Sequence, residues 1–86
     1  MGKVIPLTPK AIQFEIWFRD RLDDQANFVI EKVHSLDRAR ELAEDGVKKK
    51  YGRMGDVHGY DADGNRVYNK VVGFINGKIS WVDPWI

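Results

Sequence analysis

Hydropathy changes period twice along this chain. In AIQFEIWFR (11–19) apolar residues recur at every second position, from Leu36 to Tyr51 they recur at every third or fourth, and in VVGFINGKISWV (71–82) the alternation returns. A period of two sends successive side chains to opposite faces of a strand, whereas steps of three and four align them along one stripe of a helix. One helical segment between extended stretches predicts an α+β fold with the helix laid over one face of an antiparallel sheet.

The first strand places Ile12, Phe14, Ile16 and Phe18 on one side and Gln13, Glu15, Trp17 and Arg19 on the other. DDQAN (23–27) is turn chemistry, because Asp and Asn side chains bond nearby backbone. FVIEKVH (28–34) follows as a second strand, so 11–34 predicts a hairpin. Ser35 is the expected N-cap, with Asp37 at the positive end of the helix dipole and Lys48, Lys49 and Lys50 at the negative end before a stop at Gly52. Leu36, Ala39, Leu42, Ala43, Val47 and Tyr51 form the inward stripe, and Glu44 to Lys48 and Asp45 to Lys49 are expected ion pairs. Gly46 is the weak point of the helix, costing about 1 kcal/mol relative to Ala.

Two dipeptides, Asp63-Gly64 and Asn76-Gly77, carry the strongest short hairpin signal, since both turn residues take positive φ. A two-residue turn at Asp63-Gly64 pairs Gly59 with Tyr68 and Val57 with Lys70. A turn at Asn76-Gly77 pairs Phe74 with Ile79 and Val72 with Trp81. The expected architecture is therefore ββαβββ, a sheet of about five strands, in one domain spanning 1–86. Residues 1–10, with two of the three prolines, read as an extended arm, and 83–86 as a tail.

Eighty-six residues support one core and leave no room for a cleft between domains. Fourteen basic residues against 13 acidic ones give a net charge of +1, which marks neither a general nucleic-acid binder nor an acidic mimic of DNA. The absence of cysteine removes thiol catalysis, disulfides and cysteine-bound zinc together. With no apolar run of signal-peptide or membrane-span length, a cytoplasmic protein without a membrane partner is expected.

YDADGNRVYN (60–69) is the most motif-like stretch. An EF-hand loop beginning at Asp61 would need glycine at its sixth position and glutamate at its twelfth, which are Arg66 and Val72 here. The Y-D-x-x-G-N-R spacing resembles the YD repeat of RHS proteins, but those arrays bury their apolar faces by stacking many copies, and one copy reads as a turn. A metal site from Asp56, His58, Asp61 and Asp63 has suitable ligand types, with Asp56 and His58 on one side of a strand, but lacks an evident third ligand of known kind. Ser35 is accounted for as a cap, Ser80 sits in a strand, Thr8 in the arm, and neither histidine has partner spacing for a nucleophile. Gly52 and Gly55 lie between helix and strand, the reverse of a phosphate-cradling loop. No catalytic residue, metal or cofactor is expected, and the chain reads as a non-enzyme.

Two surfaces remain as candidates. Trp17, Ile75 and Val82 fall on the sheet face away from the helix, and Trp85 lies in the tail. Exposed tryptophans are enriched at binding hot spots, so these four are the expected partner surface, for another protein or for a second copy in a homodimer. Lys48, Lys49, Lys50 and Arg53 in KKKYGR are candidate phosphate contacts, with Tyr51 placed to stack on a base. Phe14, Phe18, Phe74 and Trp81 are the expected aromatic core.

From Phe28 to Glu44 the chain runs strand, Ser cap and then SLDRARELAE. The residues Ser35, Leu36, Asp37, Ala39, Leu42 and Ala43 resemble the corresponding stretch of a family of small phage-encoded inhibitors of host RNA polymerase, and more loosely some anti-CRISPR proteins. That resemblance implies a non-catalytic inhibitor, working in the bacterial cytoplasm, that binds and blocks a host protein or nucleoprotein complex. The alternative expectation is a small nucleic-acid-binding module using the basic helix end.

Overall fold

In the computed structural model the described residues are 10–21 and 25–84. Residues 1–9 of the expected arm, part of the first turn and Trp85 lie outside them. The elements run β1 (Gln13–Arg19), β2 (Phe28–Val33), α1 (Leu36–Lys48), β3 (Met54–Tyr60), β4 (Arg66–Ile75) and β5 (Lys78–Val82). All five strands form one antiparallel sheet in the order β2-β1-β3-β4-β5. The α+β class and the ββαβββ succession are those the periodicity predicts.

The strand order follows from the helix. Because α1 carries the chain from β2 back across the sheet, β3 joins the free side of β1, and the most alternating strand of the sequence ends up internal, between β2 and β3. Phe14, Ile16 and Phe18 of β1 lie opposite Gly59, Val57 and Gly55 of β3 on the helix-covered face. With Val72, Ala39, Ala43, Val47 and Val33 they make the core. No helix among the described residues is long and apolar enough to cross a membrane.

Both ends of α1 are satisfied locally. Ser35 is extended (φ −137°, ψ 134°) and its hydroxyl accepts from the Arg38 N–H at 3.2 Å. The other end differs from the expected stop at Gly52. The helix finishes at Lys48, Lys50 N–H donates to Val47 O at 3.1 Å, and Tyr51 N–H donates to Gly46 O at 2.9 Å. That is a Schellman closure, and its left-handed position is Lys50 (φ 65°), where glycine is usual.

Four further expectations are corrected. Gly46 is no weak point: a Cβ there would sit 2.2 Å from Cζ of Phe18, so glycine is what lets the ring lie against the helix. Glu44 turns to β5, where it accepts from Trp81 Nε1 at 2.6 Å, whereas the Asp45–Lys49 pair forms at 3.0 Å. Phe74 faces the helix side but, 52 % exposed, stands outside the core, because β4 extends beyond the end of α1.

The fourth concerns the turn at Asp63-Gly64. Asp61 O accepts from Gly64 N–H at 3.0 Å, Gly64 is left-handed (φ 83°) and Asp61 N–H donates to Asn65 O at 2.9 Å. The loop therefore has three residues, Ala62 to Gly64, and a bulge at Val67 absorbs the odd count, since Tyr60 pairs with Arg66 and Gly59 with Tyr68. The expected pairs Gly59–Tyr68 and Val57–Lys70 survive because loop and bulge cancel. At Asn76-Gly77 the two-residue turn forms with φ 53° and 79°, and Phe74–Ile79 and Val72–Trp81 pair as read.

Candidate functional site

Alternation in β1 and β3 places Glu15, Trp17, Arg19, Asp56, His58 and Tyr60 on the sheet face away from α1. Asp56 and His58 are nonetheless buried, 5 % and 4 % exposed. Asp56 Oδ2 lies 3.2 Å from Arg19 Nη2 and 3.3 Å from His58 Nε2, so one oxygen serves both bases. Trp17 lies against the imidazole, ring centres 5.4 Å apart, and the Arg19 guanidinium stands 5.5 Å from the indole centre. Trp17 Nε1 donates to Glu15 Oε1 at 3.0 Å, and the Tyr60 hydroxyl donates to the same oxygen at 3.2 Å. Burial, and then the Glu15 carboxylate, push the Tyr60 hydroxyl above its ordinary value of 10.0.

This cluster is turned inward. Asp56 Oδ2 faces both bases beneath an indole while its Oδ1 is buried with no hydrogen-bond partner among the described residues, and Asp61 and Asp63, the other carboxylates of the expected metal set, sit at the hairpin loop. There the Asp61 carboxylate accepts from the backbone N–H groups of Asp63 and Asn65, both at 2.9 Å. Among the described residues no three His, Cys, Asp or Glu side chains converge as a metal would need.

Trp17 and Val82 belong to one cross-strand row, Trp17–Asp56–Val71–Val82. Two strands intervene, so roughly 14 Å separates them at the usual strand spacing. Ile75 lies four residues along β4 from that row. The three share a face without adjoining. Trp17 is half-buried, while Ile75 and Val82 are 49 % and 44 % exposed. Trp85 lies outside the described residues.

The basic residues converge more closely. At the end of α1 a recess of about 530 Å³ is lined by Asp20, Val47, Lys48, Lys50, Gly52, Arg53 and Phe74. Val47 and Phe74 form its apolar wall, and three cations against one carboxylate leave it positive. Among the described residues Lys48, Lys50 and Arg53 make no ion pair. Lys49, the remaining sequence candidate, is turned to Asp45, which raises its ammonium above 10.5. On the β2 side of the same helix end, Tyr51 (40 % exposed) packs on Phe28 (48 % exposed) with ring centres 5.0 Å apart, and edge-on against buried Phe18 at 5.5 Å.

Sequence reasoning missed Phe74, Asp20 and Phe28 at this end and Glu15 and Arg19 around Asp56. The signal for the polar cluster was legible, since Glu15 and Arg19 flank Trp17 on one face of β1. The chain matches no family model, no curated protein and no solved structure.

Proposed function

We propose that this chain is a small non-catalytic interaction protein that binds and blocks a host protein or nucleoprotein complex. The observation that carries the reading is the distribution of its side chains. Two groups capable of proton chemistry, Asp56 and His58, are buried and paired with each other, while the second histidine, His34, is exposed with no carboxylate paired to it among the described residues. Among the groups left open are six large apolar side chains, Ile12, Phe28, Tyr51, Phe74, Ile75 and Val82. Exposed aromatics of this kind beside uncommitted cations are the usual composition of binding hot spots. The resemblance of 28–44 to phage-encoded inhibitors directs the choice of partner toward bacterial RNA polymerase and CRISPR effector complexes.

Titration of the native protein against those two assemblies tests the reading. A complex at micromolar concentration, weakened at least tenfold by the paired substitutions Phe28→Ala and Phe74→Ala, is expected. No complex with either assembly at that concentration would overturn it.

A further inference from the structure

We propose that the recess beside Phe74 is a binding site for single-stranded nucleic acid, in which a base lies on the Phe74 ring and the flanking phosphates meet Lys48, Lys50 and Arg53. The inference rests on the reading of the chain as a binding protein and names the chemistry of what one of its surfaces takes.

Charge and shape point the same way. Three cations surround an apolar wall with one opposing carboxylate, and none of the three is committed to an acid among the described residues. The volume, about 530 Å³, lies within the range of small-ligand clefts. Phe74 is an aromatic ring half open to solvent at the edge of the cations. Positive grooves interleaved with open aromatic rings are how unpaired strands are held, because every base has a face to stack and every linkage carries a charge. In a duplex the base faces are stacked on one another, so a ring in a recess reaches only unpaired bases.

Lys50 holds the left-handed conformation (φ 65°) that glycine adopts freely at a helix end. Lys32 in β2 holds the same conformation (φ 62°) without lining the recess, so the contribution of Lys50 to the site is the placement of its ammonium group at the lip. The Schellman reversal aims the chain so that Lys48, Lys50 and Arg53 bracket Phe74.

Fluorescence anisotropy with labelled oligothymidine and oligouridine tests the site and separates DNA from RNA as its source. Binding of either is expected, with log affinity falling against log salt at a slope near −2, from about 0.7 for each of three phosphate contacts. Phe74→Leu keeps an apolar side chain but loses the flat ring, and is expected to weaken binding about tenfold. Lys50→Gly should raise the melting temperature while lowering affinity and reducing the salt slope by about 0.7, an outcome that misfolding cannot produce. The site is overturned if neither oligonucleotide binds at low salt, if duplex binds as tightly as single strand, if polyglutamate displaces the strand at equal charge, or if Phe74→Leu or Lys50→Gly leaves affinity unchanged. Failure with oligonucleotides alongside a complex with a host assembly would sink this site and leave the interaction reading standing.

Discussion

Gly46 and Phe18 compete for the same space. The ring of Phe18, fully buried, lies where a Cβ at position 46 would stand, 2.2 Å from the nearest ring carbon. A Gly46→Ala substitution therefore sets a helix-propensity gain of about 1 kcal/mol against overpacking. Overpacking, at about 1–3 kcal/mol, is expected to win, leaving a net loss of up to about 2 kcal/mol in urea unfolding, part of which a second change, Phe18→Leu, restores. Tyr60 and Tyr68 carry a pH dependence. Burial is the main reason that both hydroxyls sit above 10.0, with Glu15 adding to it at Tyr60 and Arg40 opposing it at Tyr68. A raised folded value means that the unfolded chain loses these protons first, so the contribution is intact below pH 10 and lost above it. The urea midpoint should fall as pH rises from about 10, and fall less in the doubly substituted Tyr60→Phe, Tyr68→Phe protein.

Among the elements, α1 and β5 are not neighbours in sequence, yet one side chain ties them. Trp81 Nε1 donates to Glu44, and the Arg40 guanidinium stands 4.6 Å from the indole centre. Replacing Trp81 by Phe keeps most of the apolar area but removes that bond, and is expected to cost about 1–2 kcal/mol. Glu44→Ala should then add little in the Trp81→Phe background, since the two residues act through one contact. Equal and additive losses would show that the bond contributes nothing. The spacing that suggested a Glu44–Lys48 pair describes an isolated helix, and the sheet offered Glu44 a better donor.

For the whole molecule, the strand order sets the ranking of local stability. β1 and β3 are hydrogen-bonded on both sides and lie under the helix, while β2 and β5 are edges. Hydrogen exchange should find the slowest amides in β1 and β3, around Ile16 and Val57, with β5 exchanging sooner. Protection of β5 as strong as that of β3 would contradict this ranking and point to a covered edge. The same order explains why the partner surface read from alternation does not form one patch. Alternation assigns Trp17, Ile75 and Val82 to a face, but not to neighbouring strands.

What the sequence determined by itself depends on near neighbours in the chain, although the helix stop and the Asp63-Gly64 loop, equally local, came out differently. The period of two in β1, the period of three and four in α1, the Ser35 cap and the Asn76-Gly77 turn are short-range effects. Each is set by sterics and hydrogen bonds within a few residues, so each was legible. The tertiary structure decided what depends on residues far apart in sequence. It placed β3 against β1, made Gly46 a seat for Phe18, turned Glu44 toward Trp81, buried Asp56 with His58 and Arg19, and left Phe74 open beside Lys48, Lys50 and Arg53. Those outcomes turn on competition for space and partners across the sheet, and periodicity carries no information about which distant group wins. The candidate recess belongs to this second class: its cations were visible in KKKYGR, but its aromatic wall comes from a strand more than twenty residues away.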